Sequence, residues 1–140
     1  MPDSTRRTAL LLSAFAPDIL AQTEAKTVGR PVVYFEIGCR DRNKTADYYA
    51  KLFNWSIAAA GPAHTIDTGA GTGIQGHITS LGHEPEHYTM FYVQVDDIQA
   101  ALDKAVELGG KRLVGPVKIP TGFFAWFQDP DGNVIGLTSR

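Results

Sequence analysis

Tyr34 and Glu36 stand two residues apart in Val32-Val33-Tyr34-Phe35-Glu36-Ile37, and Gln75 and His77 stand two apart in Gly73-Ile74-Gln75-Gly76-His77-Ile78. On a strand, a spacing of two places each pair on one face. A carboxylic acid beside apolar walls can carry a raised pKa and act as an acid or a base. Held instead by backbone or tyrosine hydrogen bonds, it is a structural group, and both readings of Glu36 stay open. His77 has the same two readings: a base, proton donor or ligand contact in a cleft, or a hydrogen-bonding strut. A third run, Tyr88 to Val95, sets Met90, Tyr92 and Gln94 against Phe91, Val93 and Val95. That alternation makes an apolar wall with two polar tips, which suits either a small organic ligand or plain barrel core.

The remaining reactive residue types carry less. His83 and His87 flank Glu84-Pro85-Glu86 and read as a solvated linker, and His64 on a short edge strand carries no signal. Cys39 is the one cysteine, so it forms no internal disulfide; at a strand end it reads as buried and inert. Phe123, Phe124, Trp126 and Phe127 form an aromatic cluster, of which alternation turns half inward and half toward a helix or partner. There is no nucleophile elbow, phosphate loop, paired-cysteine motif or zinc-hydrolase motif.

These residues need elements to position them. Val32–Ile37 reads as a strand, followed by a helix capped by Asp41, carrying Ala46, Tyr49, Leu52 and Phe53 at helical spacing and ended by Asn54. Strands follow at Trp55–Ala59, His64–Thr68 and Gly73–Thr79, then a linker from Leu81 to Glu86. The pattern then restarts: a strand from Tyr88, a helix capped by Asp97 and closed by Gly109-Gly110, and strands at Lys111–Lys118, Gly122–Gln128 and Asn133–Thr138. Asp129-Pro130-Asp131-Gly132 marks the last turn. A strand, a helix and three strands occur twice, with Cys39-Arg40-Asp41 superposing on Val95-Asp96-Asp97. The expected fold is α+β: two βαβββ modules, about 31–80 and 87–139, forming an eight-stranded, partly open barrel with helices outside and a cleft within.

Composition excludes several functions. The 140 residues are 44% hydrophobic and 20% charged with a net charge of −2, which is not the balance of a disordered chain. No basic stripe suggests nucleic acid, and no apolar run reaches the roughly 20 residues a membrane span needs. Half-open sheets of this kind commonly pair, so a homodimer is expected. Residues 1–26 stand apart from the domain at 27–140. There, Thr5-Arg6-Arg7-Thr8 before Ala9–Ala16 reads as a twin-arginine export signal, implying a periplasmic protein. The alternative is an N-terminal helix on a cytoplasmic protein.

Tyr34–Asp41 with Asp47-Tyr48-Tyr49 and Phe53-Asn54-Trp55 resembles the first module of the glyoxalase and bleomycin-resistance proteins. Phe91–Asp97, Leu108-Gly109-Gly110 and Asp129–Leu137 resemble the second. Taken in order, these pieces resemble the vicinal-oxygen-chelate superfamily over about residues 31–139. The resemblance implies the fold but leaves the function open. Metal-dependent members place His, Gln or Glu in the cleft from the first and last strands of each module. Carried over one by one, those positions fall on Tyr34, Met90, Gly136 and either Gln75 or His77. Tyrosine at neutral pH, a thioether and a glycine are poor or absent ligands for a hard metal. The expectation is therefore a protein with no metal or other cofactor that binds a small organic molecule, in a cleft lined by Tyr34, Glu36, Gln75, His77, Met90, Tyr92 and Gly136. The alternative is a lyase or isomerase of the glyoxalase type, with a noncanonical metal around Gln75 and His77 or metal-free chemistry at Glu36.

Overall fold

The computed structural model describes residues 28–81 and 85–140. The expectations for the N-terminal segment and for His83 lie outside them. Pro31–Arg140 forms one compact unit.

Its first half runs β1 (Val32–Gly38), α1 (Arg42–Phe53), β2 (Ser56–Ala60), β3 (Ala63–Asp67) and β4 (Gln75–Thr79). Its second half runs β5 (Tyr88–Gln94), α2 (Ile98–Glu107), β6 (Lys111–Ile119), β7 (Gly122–Gln128) and β8 (Val134–Ser139). The caps follow from side-chain chemistry. Asp41 Oδ1 accepts from the N–H groups of Asn43 (3.1 Å) and Lys44 (3.2 Å), and Asp97 Oδ1 from that of Ala100 (3.0 Å). Asn54 ends α1 in the left-handed region at φ 58°. At the end of α2, Gly109 takes φ 103°; its N–H bonds Val106 O and the next N–H, of Gly110, bonds Ala105 O, which is a Schellman closure.

Strand boundaries shift by a residue or two from the sequence reading. Trp55 stays out of β2 because its ring stacks on Tyr49 and tilts against Phe35, as the helix exit. Gly71 and Gly73 hold positive φ in a turn, so β4 starts only at Gln75. His64 is not on an edge strand, because β2 lies outside β3. It is 9% exposed, and its Nε2 meets Asn43 Oδ1 at 2.8 Å, tying β3 to α1.

The eight strands form one mixed, unclosed sheet in the order β2-β3-β4-β1-β5-β8-β7-β6. β1 runs parallel to β4 and antiparallel to β5, and β5 runs parallel to β8. Alternation sorts the side chains onto two faces. One face packs on the helices through two apolar clusters. Ala46 of α1 meets Ile66 and Ile78, and Ile98 and Leu102 of α2 meet Ala125 and Leu137. Cys39 is half-buried against the first cluster, where its Sγ lies 3.5 Å from Thr79 O. The other face carries Met90, Tyr92 and Trp126, flanked by Tyr34, Tyr88 and Phe124. The aromatic run of β7 divides accordingly: Phe124 and Trp126 turn to this inner face, while Phe127 packs toward α2 and Phe123 stays exposed. Among the described residues, no helix is long and apolar enough to cross a membrane.

Candidate functional site

The curved inner face encloses a cavity of about 510 Å³. Its walls are mostly apolar, with Val114 and Ile119 from β6, Phe124 and Trp126 from β7, and Pro62 and Leu81 among the other lining groups. Tyr34, Glu36, His77 and Tyr92 supply most of its polar end, and Thr79, Thr121 and Thr138 also line it. No Lys or Arg is among the lining residues.

Glu36 is the centre of the polar end. It is 4% exposed, and both oxygens of its carboxylate have protein partners. Oε1 accepts from Tyr92 OH (2.8 Å) and faces His77 Nε2 at 2.6 Å, while Oε2 accepts from Tyr88 OH. The network extends outward in two directions. His77 Nδ1 meets Tyr34 OH at 2.9 Å, and Trp126 Nε1 donates to Tyr92 OH at 2.9 Å. The sheet register produces this convergence. Glu36 is paired with His77 across β1 and β4, and Tyr34 with Tyr92 across β1 and β5.

Electrostatics favour an ionised carboxylate. Burial pushes Glu36 up, but hydrogen bonds from His77, Tyr88 and Tyr92, with the attraction of His77, outweigh it and hold the carboxyl below the ordinary range. The raised-pKa acid considered for Glu36 is therefore corrected: desolvation alone would raise it, and four favourable interactions reverse the sign. The same charge acts oppositely on the phenols. Burial first, then Glu36, pushes Tyr34, Tyr88 and Tyr92 up, so all three stay protonated donors.

Four of the seven residues expected in the cleft line this cavity: Tyr34, Glu36, His77 and Tyr92. Gln75, Met90 and Gly136 do not. Gln75 lies at the exposed start of β4, where its Oε1 accepts from Thr68 N–H at 2.7 Å. Met90 is 6% exposed and packed into the Tyr92–Trp126 cluster. Gly136 lies beneath the Tyr92 ring, so close that a Cβ there would stand 2.4 Å from Tyr92 Cδ1. Tyr88 and Trp126 were not singled out for the site. Tyr88 could have been, since it continues the inward alternation of Met90 and Tyr92 by one step.

The residues at the resembled metal positions do not fit a divalent ion. Gly136 offers no donor, Met90 is a packed thioether, Tyr34 stays a protonated phenol, Gln75 Oε1 is held by the Thr68 N–H, and both ring nitrogens of His77 are engaged, by Glu36 and Tyr34. Among the described residues, no three His, Cys, Asp or Glu side chains cluster.

Comparison with known proteins agrees with this architecture. A family model described as the Glyoxalase/Bleomycin resistance protein/Dioxygenase superfamily matches residues 32–137, from the start of β1 into β8. A glyoxylase-like domain-containing protein of Didymella fabae is 28% identical over 118 residues, covering 75% of this chain and 90% of that protein. A solved member of the superfamily from Vibrio splendidus 12B01 superposes with a TM-score of 0.55 at 16% identity, over 79% of this chain and 98% of its own. Methylmalonyl-CoA epimerase from Mycobacterium tuberculosis superposes with a TM-score of 0.59 at 12% identity, over 77% and 86%. These structures share the fold; the span of the family match, together with the paired strand–helix units it covers, shows that the chain belongs to the Glyoxalase/Bleomycin resistance protein/Dioxygenase superfamily.

Proposed function

We propose that the protein binds a small, neutral, largely apolar organic molecule in this cavity, without a metal ion. The observation that carries the reading is a cavity of about 510 Å³ with apolar walls, whose one carboxylate already has protein partners on both oxygens. Such a volume is normal for a ligand site. An anionic ligand is disfavoured. A second negative charge about 6 Å from a carboxylate costs at most roughly 3 kcal/mol at an effective dielectric near 20, and His77, 2.6 Å from Glu36 Oε1, is the one lining group placed to offset it. No Lys or Arg in the lining offsets it. For the same reason, the activity named for the epimerase neighbour is not carried over, because a coenzyme A thioester brings several phosphates.

The test is ligand-observed NMR with acetophenone and benzoate, on the native protein and on Thr121→Trp. Thr121 lies exposed at the turn between β6 and β7 and lines the cavity, so a tryptophan there blocks it without touching the core. Acetophenone should bind the native protein, lose binding to the variant, and outcompete benzoate. Equal binding to both proteins would place the ligand elsewhere and sink the reading. Metal analysis after dialysis gives a second check: near-stoichiometric zinc, nickel, manganese or iron would contradict metal-independent binding.

A second reading is metal-free acid–base catalysis. It is favoured by one observation, the line Tyr34 OH–His77–Glu36, a hydroxyl, an imidazole and an orienting carboxylate at 2.9 and 2.6 Å. In this reading Glu36 orients and His77 moves the proton. Deuterium incorporation into acetophenone's methyl group in D2O, lost in His77→Asn, would support it over plain binding.

A further inference from the structure

Thr79 sits on the inner face of β4 with His77, two residues farther along, and lines the same cavity. It is 2% exposed. Its Oγ1 is buried and has no hydrogen-bond partner among the described residues. The other inner-face polar groups nearby differ. Glu36, Tyr92 and His77 are all engaged within the network. A buried hydroxyl without a partner is destabilising, and folds rarely keep one without a reason. Valine has the same shape and would avoid the penalty.

We propose that the ligand is held at two points on this face, at the Tyr34–His77 pair and at the Thr79 hydroxyl. The second point is the one for which the empty hydroxyl is retained. This rests on the binding reading above and narrows its ligand class. The molecule is neutral and mostly aromatic or apolar, and it carries two hydrogen-bonding groups separated by about two strand residues, roughly 7 Å. The Thr79 oxygen is closed off from the cavity in the rotamer seen; a χ1 step between staggered wells, which exchanges hydroxyl for methyl, is what turns it to the ligand, and its hydrogen then rotates about the C–O bond. Thr79 can therefore meet either a carbonyl or a hydroxyl on the ligand. With its Nε2–H on Glu36, a neutral His77 accepts the Tyr34 hydroxyl at Nδ1, so the Tyr34 oxygen is left to accept and the ligand group at that end is a donor.

The experiment compares 4-hydroxyacetophenone, which has two polar ends at about this separation, with phenol and acetophenone, which have one each. Binding is measured by calorimetry on the native protein, Thr79→Val and Thr79→Ser. The native protein should bind the two-ended probe more tightly than either single-ended one. Thr79→Val should raise the melting temperature of the ligand-free protein and weaken the two-ended probe roughly three- to tenfold. It should leave one single-ended probe unaffected. Thr79→Ser should restore the affinity. Unchanged affinity in Thr79→Val, or a lower melting temperature of its ligand-free form, overturns the two-point inference while leaving the binding reading intact. Failure of the native protein to bind any of the three probes overturns both.

Discussion

His77 Nε2 stands 2.6 Å from Glu36 Oε1, across paired positions of two parallel neighbouring strands. Neither residue could be held there alone. A carboxylate buried to this degree without donors would cost several kcal/mol. With three side chains donating or facing it, Glu36 is the knot that ties β1 to β4 and β5. Glu36→Gln keeps the shape but turns an amide N–H2 toward donors that previously found an acceptor. It should lower unfolding free energy by about 2–4 kcal/mol. Urea denaturation checks this, and a loss below about 1 kcal/mol would show that the network is not a structural anchor.

The same carboxylate sets an acid limit. Its folded pKa is held below the ordinary range by His77, Tyr88 and Tyr92 against burial. A depressed pKa stabilises the fold above the unfolded glutamate's value, about 4.3, and that stability is lost as pH falls through the folded value. The native protein and Glu36→Gln should therefore differ most near neutrality and converge in acid. Urea midpoints measured from pH 7 downward test it; a difference that stays constant with pH would assign the effect to shape rather than charge.

At the alkaline end the sign reverses. Burial and the charge of Glu36 raise Tyr88 and Tyr92. Their neutral form stabilises the fold below the unfolded tyrosine value, about 10, and that contribution is lost as pH rises toward the folded values. Absorbance at 295 nm should show tyrosines that ionise only as the protein unfolds, and Tyr88→Phe should remove one of them. Smooth titration of all five tyrosines near pH 10 in the folded protein would refute this.

Periodicity made the fold legible, and chemistry made only part of the site so. The two caps, Asp41 and Asp97, and the glycine closure of α2 are local devices, and each appears where a short stretch of sequence demands it. The inward position of Tyr34, Glu36 and Tyr92 follows from a period of two. What alternation does not give is register. That Glu36 faces His77, and not Gln75, depends on a parallel pairing between strands some forty residues apart. The sign of the Glu36 shift depends on how many donors arrive, which no local pattern reports. Met90 shares the inner face but is covered by Tyr92 and Trp126, so facing the cleft did not mean lining it.

Gly136 shows why a glycine stands at a position where the superfamily resemblance would put a ligand. It is paired with Tyr92 across β5 and β8, and the Tyr92 ring occupies the space a side chain would need. Alanine at 136 would place its Cβ 2.4 Å from Tyr92 Cδ1, far inside contact distance. The ring must then shift, which strains its bonds to Glu36 and from Trp126. Gly136→Ala should cost about 1–3 kcal/mol, the usual penalty of overpacking, and alter Trp126 fluorescence. The cause can be isolated with a double-mutant cycle. In a Tyr92→Leu background the clash is gone, so the added cost of Gly136→Ala should fall by at least about 1 kcal/mol. An equal cost in both backgrounds would mean that the backbone of β8, and not the Tyr92 ring, requires the glycine.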